Sequence, residues 1–139
     1  MTPNGYLNKK ILLVDDDESI ISLIETVLNK EGYSKVFKAF SGKEAIQSID
    51  GIGPDLIVLD VMLPDFDGYE ICRKIRERSM VPIIFLSARS DESDKLISYA
   101  MGGDEYITKP FSPKELLAKI TAMLKRQSYY DDKGANDKR

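Results

Sequence analysis

The sequence predicts an α/β fold, a five-stranded parallel sheet wound on both faces by helices. Two observations predict it. Ile11-Leu12-Leu13-Val14, Leu56-Ile57-Val58-Leu59 and Ile83-Ile84-Phe85-Leu86 are continuously apolar, the pattern of strands buried on both faces. Such runs also alternate with helical patterns along the whole chain. This implies parallel strands joined by right-handed crossovers.

The elements follow in order. Strands are expected over about 10–14, 35–39, 55–59, 82–86 and 105–107. After the first, Ile20, Ile21, Leu23, Ile24, Val27 and Leu28 repeat at amphipathic helical spacing, and Gly32 stops that helix. Ser41-Gly42-Lys43-Glu44 is a capping box that starts a helix carrying Ala45, Ile46 and Ile49. Two more helices fit about 68–78 and 91–101, the second closed by Gly102-Gly103. Ser112-Pro113-Lys114-Glu115 is a second capping box, with proline at the first helical position, before Leu116, Leu117, Ile120, Met123 and Leu124. Residues 1–9 read as an N-terminal extension and 10–126 as one domain. Residues 127–139 are polar without an apolar period, and read as a linker or disordered tail.

Bulk properties narrow the function. The chain has 139 residues, 42% hydrophobic and 31% charged, which fits one ordinary globular domain. A net charge of −3 gives no general basic surface for nucleic acid. No apolar run is long enough to span a membrane, and the first ten residues lack the centre of a secretory signal, so a cytoplasmic location is expected. Cys72 has no partner for an internal disulfide and reads as a small buried side chain. The absence of histidine removes imidazole acid–base chemistry, imidazole metal ligands and phosphohistidine formation on this chain.

In a parallel sheet, ligands bind just outside the carboxyl ends of the strands. There the sequence sets Asp15, Asp16 and Asp17 after the first strand, Asp60 at the end of the third, Ser87 after the fourth and Lys109 after the fifth. Converging carboxylates need a cation or a proton between them. Mg²⁺ takes one or two carboxylates and keeps several waters, so Asp16 and Asp60 suit it directly, with Asp15 acting through a water. Asp60 could then attack a phosphoryl group in line, with Lys109 and Ser87 meeting its oxygens. Each residue alone has a plainer role: a helix cap, a turn residue or a solvated lysine. For Asp17 and Glu18 the helix-start role is preferred. The joint pattern, in strand order, is the specific signal.

With these residues assembled, the chain resembles a response-regulator receiver domain, the CheY-like fold. The resemblance rests on residues 11–18, on 54–64 with Asp67-Gly68, on 82–88 and on 103–111, and spans about 10–126. It implies a flavodoxin-like strand order 2-1-3-4-5. It further implies phosphoryl transfer to Asp60 from a partner kinase's phosphohistidine, with Mg²⁺ (or Mn²⁺) on Asp15, Asp16, Asp60 and the Met62 carbonyl. Lys109 would contact the phosphoryl group, the Lys109–Pro110 bond would be cis, and Ser87 and Tyr106 would form the switch pair. Ser87 stands where threonine is commoner and keeps the hydroxyl.

Met62-Leu63-Pro64, residues 107–113 and residues 115–120 are similar to the OmpR/PhoB group of transcription regulators. That group joins a receiver to a winged-helix DNA-binding domain. It implies homodimerisation through helix four, strand five and helix five, on Lys95, Asp104, Glu105, Glu115, Lys119 and Arg126. Glu105 and Lys119 replace the more usual Asp and Arg, and Lys119 lacks arginine's bidentate fork. The resemblance favours a receiver separated from its DNA-binding domain over a stand-alone receiver. Two other functions are weighed. A haloacid-dehalogenase-type phosphatase would carry its nucleophile after the first strand in Asp-x-Asp-x-Thr, and here the Thr is missing. A flavin carrier would need a phosphate-cradling first loop, which an acidic loop repels.

Overall fold

The computed structural model of the chain describes residues 4–89 and 91–137, with side chains as far as Tyr129. Five strands form one parallel sheet: β1 (Ile11–Val14), β2 (Val36–Ala39), β3 (Leu56–Asp60), β4 (Ile83–Ser87) and β5 (Glu105–Thr108), in the order β2-β1-β3-β4-β5. The helices are α1 (Glu18–Glu31), α2 (Gly42–Ile52), α3 (Gly68–Arg76), α4 (Glu92–Ala100) and α5 (Pro113–Asp137). The expected fold class and strand order are both observed, with element ends differing by one or two residues except at the end of α5.

The register explains why β1 and the first four residues of β3 are apolar. Alternate side chains point to opposite faces of a strand. Leu12, Val14, Ile57, Leu59 and Phe85 therefore meet Ala45 and Ile49 of α2 and Ile71, Cys72 and Ile75 of α3. Ile11, Leu13, Leu56, Val58, Ile84 and Leu86 meet Ile21, Ile24 and Leu28 of α1 and Leu116, Ile120 and Leu124 of α5. Cys72 is buried and free, as expected, and its thiol lies 3.2 Å from the Met101 carbonyl oxygen.

Helix starts follow the predicted chemistry. The Asp17 carboxylate accepts from the amides of Ser19 and Ile20, so Asp17 caps α1. Ser41 Oγ accepts from the Glu44 amide and Ser112 Oγ from the Glu115 amide. Gly32 closes α1 with φ 115°, a left-handed conformation that side chains resist.

Two terminal features depart from the sequence reading. Residues 127–137 continue α5 and are not an unstructured tail. No proline interrupts this stretch, and contacts with the body extend beyond Arg126: Ser128 is buried, and the Gln127 side-chain Nε2 donates to the Asp55 carbonyl at 3.4 Å. The N-terminal extension contains a 3₁₀ helix, Gly5–Asn8, whose Tyr6 and Leu7 pack against the α1–α5 core. Lys125 sits 5.1 Å from the centre of the Tyr6 ring, tying the extension to α5. Residues 1–3, 138 and 139, included in the expected extension and tail, lie outside the described residues. Among the described residues, no helix is long and apolar enough to cross a membrane.

Candidate functional site

The carboxyl ends of β1, β3, β4 and β5 bring the predicted residues together. Asp15 follows β1 and Asp60 ends β3; both are buried, while Asp16 is exposed. One carboxylate oxygen from each of the three can be chosen so that all lie within 4.8 Å of one another. Asp17 turns away into its helix-capping role, so only two of the first loop's three aspartates reach the site.

Lys109 supplies the countercharge. The Lys109–Pro110 bond is cis, and the lysine ammonium lies 3.0 Å from Asp15 Oδ2 and 3.3 Å from Asp60 Oδ2. Burial alone would lower the lysine's pKa; the Asp15 and Asp60 carboxylates outweigh it and hold the ammonium above its ordinary range. Asp60 Oδ1 accepts from the Met62 amide at 3.0 Å. Burial pushes the Asp60 carboxyl up to about 6; the Met62 amide opposes this, the Asp15 charge adds to it and Lys109 opposes it. One ammonium among three carboxylates leaves a net negative pocket built from oxygen donors. Such a site fits a hard divalent cation.

The β3–α3 loop starts beside this pocket, where the Met62 amide meets Asp60. Its ends are drawn together by the Met62–Asp67 bridge and by the Gly68 amide, which donates to the Val61 carbonyl at 2.7 Å. Its middle is pinned from outside. Both Asp65 carboxylate oxygens accept backbone amides at the start of α2, Gly42 at 2.9 Å and Lys43 at 3.0 Å. Those two bonds hold the Asp65 carboxyl below its usual range. Sequence reading missed this clamp because its partners are more than 20 residues away and no local motif joins them.

Ser87 ends β4 and is fully buried, its Oγ accepting from the Arg89 amide at 3.0 Å. Tyr106 is buried rather than splayed outward, and its hydroxyl donates to the Arg89 carbonyl at 2.7 Å. The side chains of Met62 and Arg89 are both exposed.

The residues predicted for a dimer face divide into two groups. Lys95, Glu115 and Arg126 are exposed on α4 and α5. Asp104 pairs within the chain to Arg76 at 3.2 Å and accepts from the Ile83 amide at 2.9 Å; Glu105 pairs with Lys119 at 3.4 Å. Arg76 also donates to the carbonyls of Gly102, Ser79 and Val81, a structural hub not anticipated from the sequence.

Comparison with known proteins adds a second line of observation. The family model described as response regulator receiver domain matches residues 11–121. The chain is 52% identical over 119 residues to the transcriptional regulatory protein YvrH of Bacillus subtilis (strain 168), covering 86% of this chain and 50% of that one. To the alkaline phosphatase synthesis transcriptional regulatory protein PhoP of the same organism it is 48% identical over 121 residues, with the same coverage. The chain thus spans about half the length of these curated relatives. Among solved structures, the Francisella response regulator 1452 receiver domain superposes with a TM-score of 0.82 at 36% identity, covering 86% of this chain and 99% of that one.

Proposed function

The chain belongs to the response regulator receiver domain family, and from that premise we propose that Asp60 is the phosphoryl acceptor of a two-component signalling switch. One observation carries the reading: a buried strand-end carboxylate lies within reach of a lysine ammonium and of two further aspartates. By its likeness to the receiver family, its donor is a phosphohistidine on a sensor histidine kinase. An Asp60 oxygen attacks phosphorus, the O–P bond forms, and the N–P bond breaks with its electron pair leaving on the imidazole. Lys109 meets one phosphoryl oxygen and the Ser87 hydroxyl another.

Asp15, Asp16, Asp60 and the Met62 carbonyl would hold Mg²⁺ or Mn²⁺. When bound, the metal offsets the negative charge that the phosphoryl group brings to an already acidic pocket. Asp60 must be ionised to attack; in the metal-free protein its carboxyl is pushed up to about 6, and a cation held beside it would favour the ionised form. The aspartyl phosphate recruits Ser87 away from the Arg89 amide, and Tyr106 reports that change to the α4–β5–α5 face. The chain acts as a signalling switch rather than a turnover enzyme. Homodimerisation through Lys95, Asp104, Glu105, Glu115, Lys119 and Arg126, transcription control through a DNA-binding domain in the longer protein, and a bacterial cytoplasmic setting complete the reading.

Labelled acetyl phosphate with Mg²⁺ tests it. One stable acyl phosphate per chain is expected, absent from Asp60→Asn. Label persisting in that variant, or rapid multiple turnover of phosphate esters, overturns the assignment.

A further inference from the structure

Helix α4 is the most weakly anchored of the helices around the sheet. Among its residues only Ser98 is buried, whereas Leu96, Ile97 and Tyr99 are 65%, 42% and 47% exposed. An element with so little apolar burial depends on its polar ties. Two tyrosine hydroxyls supply such ties from neighbouring elements. Tyr106 of β5 donates to the Arg89 carbonyl in the loop before α4. Tyr69 of α3 donates to the Asp94 carbonyl, in the first turn of α4, at 3.2 Å. Phe85 neighbours both rings, with its centre 5.2 Å from Tyr69 edge-on and 6.5 Å from Tyr106.

Tyr69 also touches the acceptor side. It is the second residue of α3, and its amide donates to the capping Asp67 carboxylate at 2.8 Å. The preceding Gly68 lies against the Asp60 carbonyl so closely that a Cβ there would sit 2.5 Å from it. The second residue of α3 therefore joins the acceptor loop to the first turn of α4.

We propose that Tyr69 is a positioning residue of the switch, whose hydroxyl latches the first turn of α4 while Tyr106 lies inward. This rests on the receiver reading and deepens it. The Ser87–Tyr106 pair acts on the loop before α4, and Tyr69 acts on the helix itself. An outward Tyr106 removes the aromatic neighbour from one side of Phe85, so the surroundings of the Tyr69 ring differ between the two states. A differential contact of that kind is what biases a two-state equilibrium. Burial first, and then the Tyr106 hydroxyl, hold the Tyr69 phenol well above its ordinary pKa, so it remains a donor at any working pH.

Tyr69→Phe keeps the ring and removes the bond. Amide hydrogen exchange of the parent and variant, each with and without beryllofluoride and Mg²⁺, tests the latch. In the variant, exchange in the first turn of α4 should rise about threefold to tenfold, the range for one lost hydrogen bond. Amides of α1 and α5 should be unchanged, and the beryllofluoride-induced protection of α4 should shrink. Combination with Tyr106→Phe should be non-additive. Exchange that is unaltered, or raised equally throughout the fold, reduces Tyr69 to packing and overturns the proposal. Acceptance of label from acetyl phosphate by both proteins keeps the two claims apart: a parent that takes no label at Asp60 sinks the receiver reading, whereas equal label with unaltered α4 exchange sinks the latch alone.

Discussion

Asp60 is costly to the fold that carries it. Its carboxyl is pushed up to about 6, chiefly by burial, whereas an unfolded chain's aspartate titrates near 4. The folded state therefore binds the proton more tightly, and the metal-free protein should lose stability as pH rises from about 4 to about 6. Asp60→Asn cannot ionise. In chelator at pH 7.5 it should be more stable than the parent by on the order of 1–3 kcal/mol, with the gap closing toward pH 4. Urea midpoints across that range measure this, and equal midpoints at pH 7.5 would refute it. Mg²⁺ should narrow the gap, because it binds the ionised parent better. At this scale the sequence was a good guide wherever a residue's partner lay at a strand end. Asp15, Asp16, Asp60 and Lys109 converge for topological reasons that strand order alone supplies. Asp65 and Arg76 were opaque. The partners of Asp65, and all but Asp104 among those of Arg76, are backbone groups, and backbone groups carry no sequence signal.

Among the elements, α3 has the tightest start. A Cβ on Gly68 would sit 2.5 Å from the Asp60 carbonyl oxygen and 2.7 Å from the Val61 Cα, both rigid backbone. Gly68→Ala must push α3 off β3. A loss of about 1–3 kcal/mol of stability is expected, together with weaker Mg²⁺ binding, since the same loop carries the Met62 carbonyl proposed as a ligand. Chemical unfolding and calorimetric Mg²⁺ titration measure the two effects; a variant matching the parent in both would show that the close approach is not limiting. Element boundaries were read well where a cap stood at the boundary, as at Ser41 and Ser112. They were read poorly for α5, whose polar last turns have no apolar period. Helical geometry there propagates from a turn already docked through Leu124 and Ser128.

Across the whole molecule, the two sides of the sheet are unequally finished. α1 and α5 bury a continuous apolar stripe, while α4 leaves Leu96, Ile97 and Tyr99 in water beside the exposed Lys95. An apolar patch rimmed by charge fits a self-complementary contact in which each residue is used twice about a two-fold axis. Asp104 and Glu105 already have partners within the chain, Arg76 and Lys119, so substituting them mixes fold stability with association. Lys95 and Glu115, which match one charged pair across the proposed dimer face, give the cleaner test. With beryllofluoride and Mg²⁺, Lys95→Glu or Glu115→Lys sets like charges together at two symmetric places and should weaken the dimer about tenfold at low salt, from exposed-pair contributions of roughly 0.2–1 kcal/mol each. The double reversal should restore much of the loss, and the differences should fade at about 1 M salt, where screening is complete within a few ångströms. Sedimentation equilibrium on the four proteins reads all of this. Single variants that dimerise like the parent, or a double variant no better than either single, would place the contact elsewhere on the surface.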